Sequence, residues 1–147
     1  MLNEFSRTEL LLGSEGIKKP NGSRVAVFGI GGVGSFAAEA LARSGVGALD
    51  LFDDDKVCLT NINRQLIATR KTIGKKKVEV MKERILEINP AAVVVAHETF
   101  YGAENADEYD LSVYDYIIDA IDTVSSKLIL VQKAVEKNIP IISCMGA

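Results

Sequence analysis

The sequence has two cysteines, three prolines and no tryptophan, and aromatic residues make up only 6% of its 147 positions. Cys58 and Cys144 are too few for a disulfide framework, and no cysteine pair has the spacing of a zinc site. No apolar run approaches the roughly 20 residues of a membrane-spanning helix. The first residues also lack the pattern of a signal peptide. We therefore expect reduced thiols, a cytoplasmic location and no membrane contact.

Size and charge are those of an ordinary globular domain. The chain is 48% hydrophobic and 25% charged, and its formal net charge is -3. This balance gives no global attraction to nucleic acid or anionic membranes, although a local basic patch can still bind either. The length predicts one domain over residues 1–147.

Short apolar runs alternate with segments of helical periodicity along the chain. Strands are predicted at 24–30, 48–52, 92–97, 116–121 and 139–143, and helices at 34–44, 75–89 and about 125–137. This alternation predicts an α/β, Rossmann-like fold with a mostly parallel sheet and helices on both faces. Residues 1–22 are predicted as an N-terminal helix and loop before a core of residues 23–147. Because the chain stops directly after the last predicted strand, which has the composition of a buried strand, we expect a C-terminal truncation.

A glycine-rich stretch, residues 29–34, joins the first predicted strand to the first core helix. Glycine lets the backbone turn tightly and approach a phosphate, and the following helix N-terminus supplies free N–H groups. Its position between a strand and a helix favours a nucleotide site over a merely structural turn. The glycines that we expect to bind the nucleotide are Gly29, Gly31, Gly32 and Gly34.

Asp53 follows the second predicted strand, 19 residues after Gly34. An acidic residue at this place hydrogen-bonds the ribose hydroxyls of a bound nucleotide. Its neighbour Asp54 is better explained as a solvated charge. Up to this point an NAD-binding Rossmann module fits as well as an ATP site does.

The residues that follow Asp53 favour a triphosphate. Asn61, Arg64 and Gln65 continue the segment, and a dinucleotide site has no need of an arginine there. An enzyme that cleaves ATP does need one, because negative charge develops on the phosphoryl oxygens and on the leaving pyrophosphate.

Residues 53–65 have the pattern D-x-D-x-V-x-x-x-N-x-x-R-Q. In this pattern the sequence resembles the ThiF/MoeB/HesA family of ATP-dependent activating enzymes. The resemblance implies that Asn61 and Arg64 contact the nucleotide phosphates. It also implies a phosphate-binding lysine three residues after a glycine, which selects Lys77 after Gly74.

The resemblance implies two further site residues. Asp122, at the end of the predicted strand 116–121, corresponds to an aspartate that helps to hold Mg²⁺ beside the α-phosphate. Mg²⁺ needs few protein carboxylates when phosphate oxygens complete its shell, so Asp119 is left to orient the loop. Arg7 matches an arginine that reaches the nucleotide of a neighbouring subunit, which implies a homodimer. We expect Arg64, Lys77 and Asp122 to be catalytic, with ATP and Mg²⁺ as ligands.

The substrate class has two alternatives within the family. Residues 29–35, 37–43, 57–65, 88–90 and 118–122 look most like the branch that dehydrates threonylcarbamoyladenosine in tRNA. The alternative branch adenylates the C-terminal glycine of a ubiquitin-like sulfur carrier, and a cysteine-desulfurase-type protein is then a further partner. The basic residues between Arg64 and Arg84 fit polyphosphate binding and also offer a place for RNA.

Overall fold

The structure, a computed structural model, describes all of residues 1–147. Its centre is a five-stranded sheet in which every neighbouring pair of strands is parallel, in the order β3-β2-β1-β4-β5. The strands are β1 (Arg24–Phe28), β2 (Ala48–Phe52), β3 (Val93–His97), β4 (Tyr116–Asp119) and β5 (Ile141–Ser143), and the helices are α1 (Ser6–Asn21), α2 (Gly34–Arg43), α3 (Lys77–Ile88) and α4 (Val124–Glu136). The predicted fold class is confirmed, and the sheet is wholly parallel.

Two apolar clusters cover the two faces of the sheet. The first packs α2 and α3 against the sheet, and Val27, Leu49 and Met81 are fully buried in it. The second packs α4 and the loop after β3 against the other face, with Phe28 and Leu130 at its centre. Because β1 and β2 contribute side chains to both clusters, their sequences are almost continuously apolar, as expected for central parallel strands.

Several predicted boundaries differ from the observed ones by one or two residues. Helix α3 begins at Lys77 rather than Lys75, because residues 75 and 76 remain extended beside residues 56 and 57. In this chain β5 lies at the sheet edge and exposes Ile142 and Ser143. Composition alone does not distinguish an edge strand from a central one.

A buried carboxylate connects three strands and a loop. Asp50 of β2 is only 1% exposed and accepts hydrogen bonds from Arg24 at 2.8 and 2.9 Å, from His97 at 2.8 Å and from Tyr114 at 3.0 Å. Burial alone would raise the pKa of Asp50, but these donors outweigh it and hold the pKa below its usual value. The network therefore keeps Asp50 ionised inside the domain.

Helix α1 stands on the outside of the domain. It has no buried residue, and its backbone breaks at Gly13, where φ is 73°. Leu10 and Leu11 are each 86% exposed. No helix in the structure is long and apolar enough to cross a membrane.

Candidate functional site

A cleft of about 390 Å³ opens where the parallel strands end. The residues after β1, β2, β3, β4 and β5 all contribute to its lining, as does the start of α3. Ligands of open parallel sheets bind at this edge, beyond the carboxyl ends of the strands. The lining includes eight of the predicted site residues, which are Gly29, Gly31, Asp53, Asn61, Arg64, Gln65, Lys77 and Asp122.

The glycine-rich loop, residues 29–34, forms one wall of the cleft. Gly29 has a φ of 93°, and a Cβ there would lie 2.5 Å from the carbonyl oxygen of Ala120. A Cβ on Gly34 would lie only 1.6 Å from the carbonyl oxygen of Gly29. The N–H groups of Gly31 and Val33 donate to no protein oxygen. The loop therefore presents free donors at the start of α2, which is the arrangement that binds phosphate.

Asp53 connects the end of β2 to this loop. One carboxylate oxygen accepts the N–H of Ile30 at 2.8 Å, and the other accepts the N–H of Asp55 at 2.8 Å. Burial raises the pKa of Asp53 above its usual value, and the two N–H donors offset only part of that effect. Each oxygen retains a lone pair, so the carboxylate can still accept a ligand hydroxyl.

The segment after Asp55 brings a polar group and a cation to the cleft. Asn61 is buried, and its side-chain oxygen accepts the N–H of Cys58 at 2.9 Å, which leaves the amide NH₂ for another partner. Arg64 is exposed and donates to the carbonyl of Thr60 at 3.1 Å and to the side chain of Asn63 at 3.0 Å. No carboxylate neutralises Arg64, so its charge is available to an anion.

Gln65 is 5% exposed, and its amide nitrogen lies 3.3 Å from the carbonyl oxygen of Ala147. The N–H of Gly32 also donates to this oxygen, at 2.5 Å. The Gln65 side chain therefore lies beside the glycine-rich loop, next to Gly31.

Lys77 is the first residue of α3, and its side chain is 7% exposed. Its one carboxylate partner, Asp55, lies 3.3 Å away and is two-thirds exposed. The ammonium group therefore lies in a mostly desolvated position with a single long ion pair. Lys76 points elsewhere and pairs with Glu98 on the surface, while exposed Lys75 has no carboxylate partner within 4.0 Å.

A buried ion pair supports the loop after β4. Asp119 is fully buried and lies 3.0 Å from the ammonium of Lys127. Asp119 also accepts from Ser143 at 2.6 Å and from the N–H of Ile121 at 3.1 Å. These contacts orient the loop after β4, as expected for Asp119, and they place Asp122 at the cleft. The Asp122 carboxylate is exposed and has no ion-pair partner within 4.0 Å.

Four aromatic residues of the cleft, which we call the aromatic wall, were not predicted from the sequence. They are Phe28, Phe52, Phe100 and Tyr101. The rings of Phe28 and Phe52 stack with centroids 4.1 Å apart, and Tyr101 meets Phe28 edge-on at 4.9 Å. All three line the cleft, together with the half-exposed Phe100. Burial raises the pKa of Tyr101 to about 12, so its hydroxyl stays protonated. Phe28 and Phe52 are the last residues of β1 and β2. They could have been predicted to lie at the cleft, because ligands of open parallel sheets bind at the carboxyl ends of the strands.

Three predicted site residues do not line the cleft. Gly34 packs on the carbonyl of Gly29, and Gly32 donates its N–H to Ala147, which itself lines the cleft. Arg7 is also absent from the lining. Its neighbour Phe5 packs against Gly45, just beyond the end of α2. That helix begins at the glycine-rich loop and is about 15 Å long, so Arg7 lies near its far end.

Residues 5–147 match the model of the ThiF family. The chain belongs to the ThiF family. It is 51% identical over 147 residues to a tRNA threonylcarbamoyladenosine dehydratase of Bacillus subtilis, covering 100% of this chain and 58% of that protein. It is also 35% identical over 141 residues to an adenylyltransferase and sulfurtransferase MOCS3 of Aedes aegypti, covering 95% of this chain and 32% of that protein.

A solved structure of a ThiF-type relative has the same fold. The Escherichia coli tRNA N6-threonylcarbamoyladenosine dehydratase TcdA in complex with ATP superposes with a TM-score of 0.92 at 45% identity, over 95% of this chain and 58% of that one. This chain spans 58% of the length of each of the two dehydratases and 32% of the length of the MOCS3 protein. The ThiF family match confirms the predicted resemblance, and the roles of single residues stay predictions.

Proposed function

We propose that the protein uses ATP to adenylate a carboxylate, and that the carboxylate belongs to threonylcarbamoyladenosine in tRNA. The observation that carries the proposal is the cleft itself. A glycine-rich loop with free N–H groups, the unneutralised Arg64 and the desolvated Lys77 meet in one space. The relatives named as tRNA dehydratases then favour this substrate. A tRNA substrate also assigns the activity to the cytoplasm.

Adenylation is one displacement at phosphorus. The threonyl carboxylate oxygen forms a bond to the α-phosphorus, and the bond from that phosphorus to pyrophosphate breaks. The neighbouring ureido group then attacks the activated carbonyl and closes a ring. AMP leaves with the former carboxylate oxygen, and the ureido group releases a proton. The base therefore loses one water in total, while ATP becomes AMP and pyrophosphate.

Each part of the cleft has a role in this scheme. The glycine-rich loop binds the phosphates through its free N–H groups, and Asp53 accepts a ribose hydroxyl. Asn61, Gln65 and Arg64 contact the phosphates. Lys77 stabilises the charge that develops during the displacement, because a cation in a desolvated site acts more strongly than one in water. The half-exposed ring of Phe100 supplies an apolar surface for the adenine ring.

The residues at the cleft also fit Mg²⁺. Asp122 lines the cleft with a carboxylate that has no ion-pair partner, and Mg²⁺ accepts one or two carboxylates when phosphate oxygens complete its shell. The ion would neutralise phosphate charge there. Asp122 is therefore proposed as its protein ligand.

We predict that the enzyme is a homodimer in which Arg7 completes the partner's site. Arg7 lies away from its own cleft, on a helix without buried residues whose Leu10 and Leu11 are exposed. Arg7→Ala is expected to lower adenylation by about tenfold or more through the lost charge, with an unchanged melting temperature. Light scattering is expected to give twice the chain mass. A fully active monomer would exclude this role.

The substrate is tested by mass spectrometry of nucleosides. After incubation of tRNA bearing threonylcarbamoyladenosine with enzyme, ATP and Mg²⁺, we expect a product lighter by one water, together with AMP. Omitting ATP, or replacing it with NAD, is the control and should leave the tRNA unchanged. The MOCS3 relative favours one alternative, the adenylation of a ubiquitin-like carrier. Unchanged tRNA together with carrier-dependent pyrophosphate exchange would establish that alternative.

A further inference from the structure

The segment of residues 56–78 carries charge of only one sign. It contains seven basic residues and no acidic residue. Five of the seven side chains are exposed and have no carboxylate within 4.0 Å. These are Lys56, Arg64, Arg70, Lys71 and Lys75.

The nucleotide cleft does not account for most of this charge. Arg64 and Lys77 line the cleft, and Lys76 is paired with Glu98. Lys56, Arg70, Lys71 and Lys75 do not line the cleft. We call these four residues the outer basic surface.

The backbone beneath this surface is held by hydrogen bonds. The hydroxyl of Thr72 donates to the carbonyl of Ile67 at 2.7 Å and accepts the N–H of Thr69 at 2.8 Å, which closes the turn that carries Arg70 and Lys71. The N–H of Val57 donates to the carbonyl of Lys75 at 2.8 Å, and the N–H of Gly74 donates back to Val57 at 2.8 Å. The fold thus keeps these like charges within one hydrogen-bonded segment.

From this arrangement, and resting on the proposed function, we infer that the outer basic surface binds the phosphate backbone of the RNA substrate. A cleft of about 390 Å³ holds a nucleotide and the reacting carboxylate, so the body of a tRNA must lie on the surface outside it. The outer basic surface belongs to the same segment that brings Arg64 to the cleft. Lysine and arginine without internal partners bind phosphates by releasing counterions, independently of base sequence.

The test removes three of these charges from the complete protein. Arg70→Ala, Lys71→Ala and Lys75→Ala are combined, and Lys19→Ala, Lys133→Ala and Lys137→Ala form a control with the same change in net charge. Binding of tRNA bearing threonylcarbamoyladenosine is measured at several salt concentrations. Binding of ATP with Mg²⁺ is measured by calorimetry. A third variant, Arg70→Lys, Lys71→Arg and Lys75→Arg, keeps the charge.

The triple alanine variant is expected to bind tRNA about tenfold or more weakly at low salt, and its salt dependence should fall by about one unit of slope per lost contact. ATP binding should not change, and the control and the charge-retaining variant should bind tRNA like the wild type. Equal tRNA affinity in all four proteins overturns this inference and leaves the proposed function standing. If the wild type does not bind tRNA and binds an acidic carrier protein instead, this inference and the proposed function are both overturned.

Discussion

Replacing Lys77 or Arg64 with alanine is expected to lower the rate of adenylate formation by about a hundredfold or more, which is the usual effect of losing one preorganised electrostatic donor. Lys77 is mostly desolvated, and its only carboxylate partner, Asp55, is two-thirds exposed. Removing the ammonium therefore leaves Asp55 solvated and affects folding little. The rate is measured as pyrophosphate release at saturating tRNA and ATP.

Lys76→Ala is the matched control for this prediction. Lys76 is the preceding residue and has the same side chain, but it is exposed and pairs with Glu98 on the surface. Its removal should change the rate less than about twofold, as for an ordinary surface charge. Similar mild losses in Lys76→Ala, Lys77→Ala and Arg64→Ala would show that the lysine assignment is wrong.

Asp119→Ala is expected to destabilise the domain by about 3 to 5 kcal/mol, because breaking a buried ion pair leaves an uncompensated charge. Asp119 is fully buried, and Lys127 is 9% exposed. Domains of this kind have a total stability of only about 5 to 15 kcal/mol. The measurement is the free energy of unfolding in urea.

The double variant Asp119→Ala/Lys127→Met separates the charge effect from lost packing. Methionine fills much of the space of the lysine stem and removes the unpaired ammonium. We expect the double variant to recover a large part of the stability that Asp119→Ala loses. If the double variant is less stable than Asp119→Ala, the carbonyl contacts of Lys127 with Ile121 and Cys144, and not the ion pair, account for the stability.

Features encoded within a few neighbouring residues could be predicted from the sequence. The glycine-rich loop and Asp53 each follow directly from a strand and the turn that ends it. The segment from Asn61 to Gln65 was found through a long sequence pattern. The structure brings these residues to one cleft, because parallel strands all end at the same edge of the sheet.

Contacts between distant residues could not be predicted in this way. Asp50 meets Tyr114 across 64 positions, and Lys77 meets Asp55 across 22. Nothing in the local pattern of β2 shows that its one carboxylate turns inward to an arginine, a histidine and a tyrosine. The same limit applies to Tyr101, since this ring meets Phe28 only when β3 and its following loop are in place.

The strand order has a consequence for synthesis of the chain. The central strand β1 pairs on one side with β4, and Val25 lies opposite Tyr116 in the register. Ribosomes add about 5 to 20 residues per second. Synthesis of the chain from β1 to β4 therefore takes on the order of 5 to 20 s, and this edge of β1 is unpaired until then. During that interval a strand of almost continuous apolar sequence has an open edge, which is the form most prone to pair with another chain. Nascent chains that stop before β4 should therefore be the aggregation-prone species and the ones that recruit chaperones.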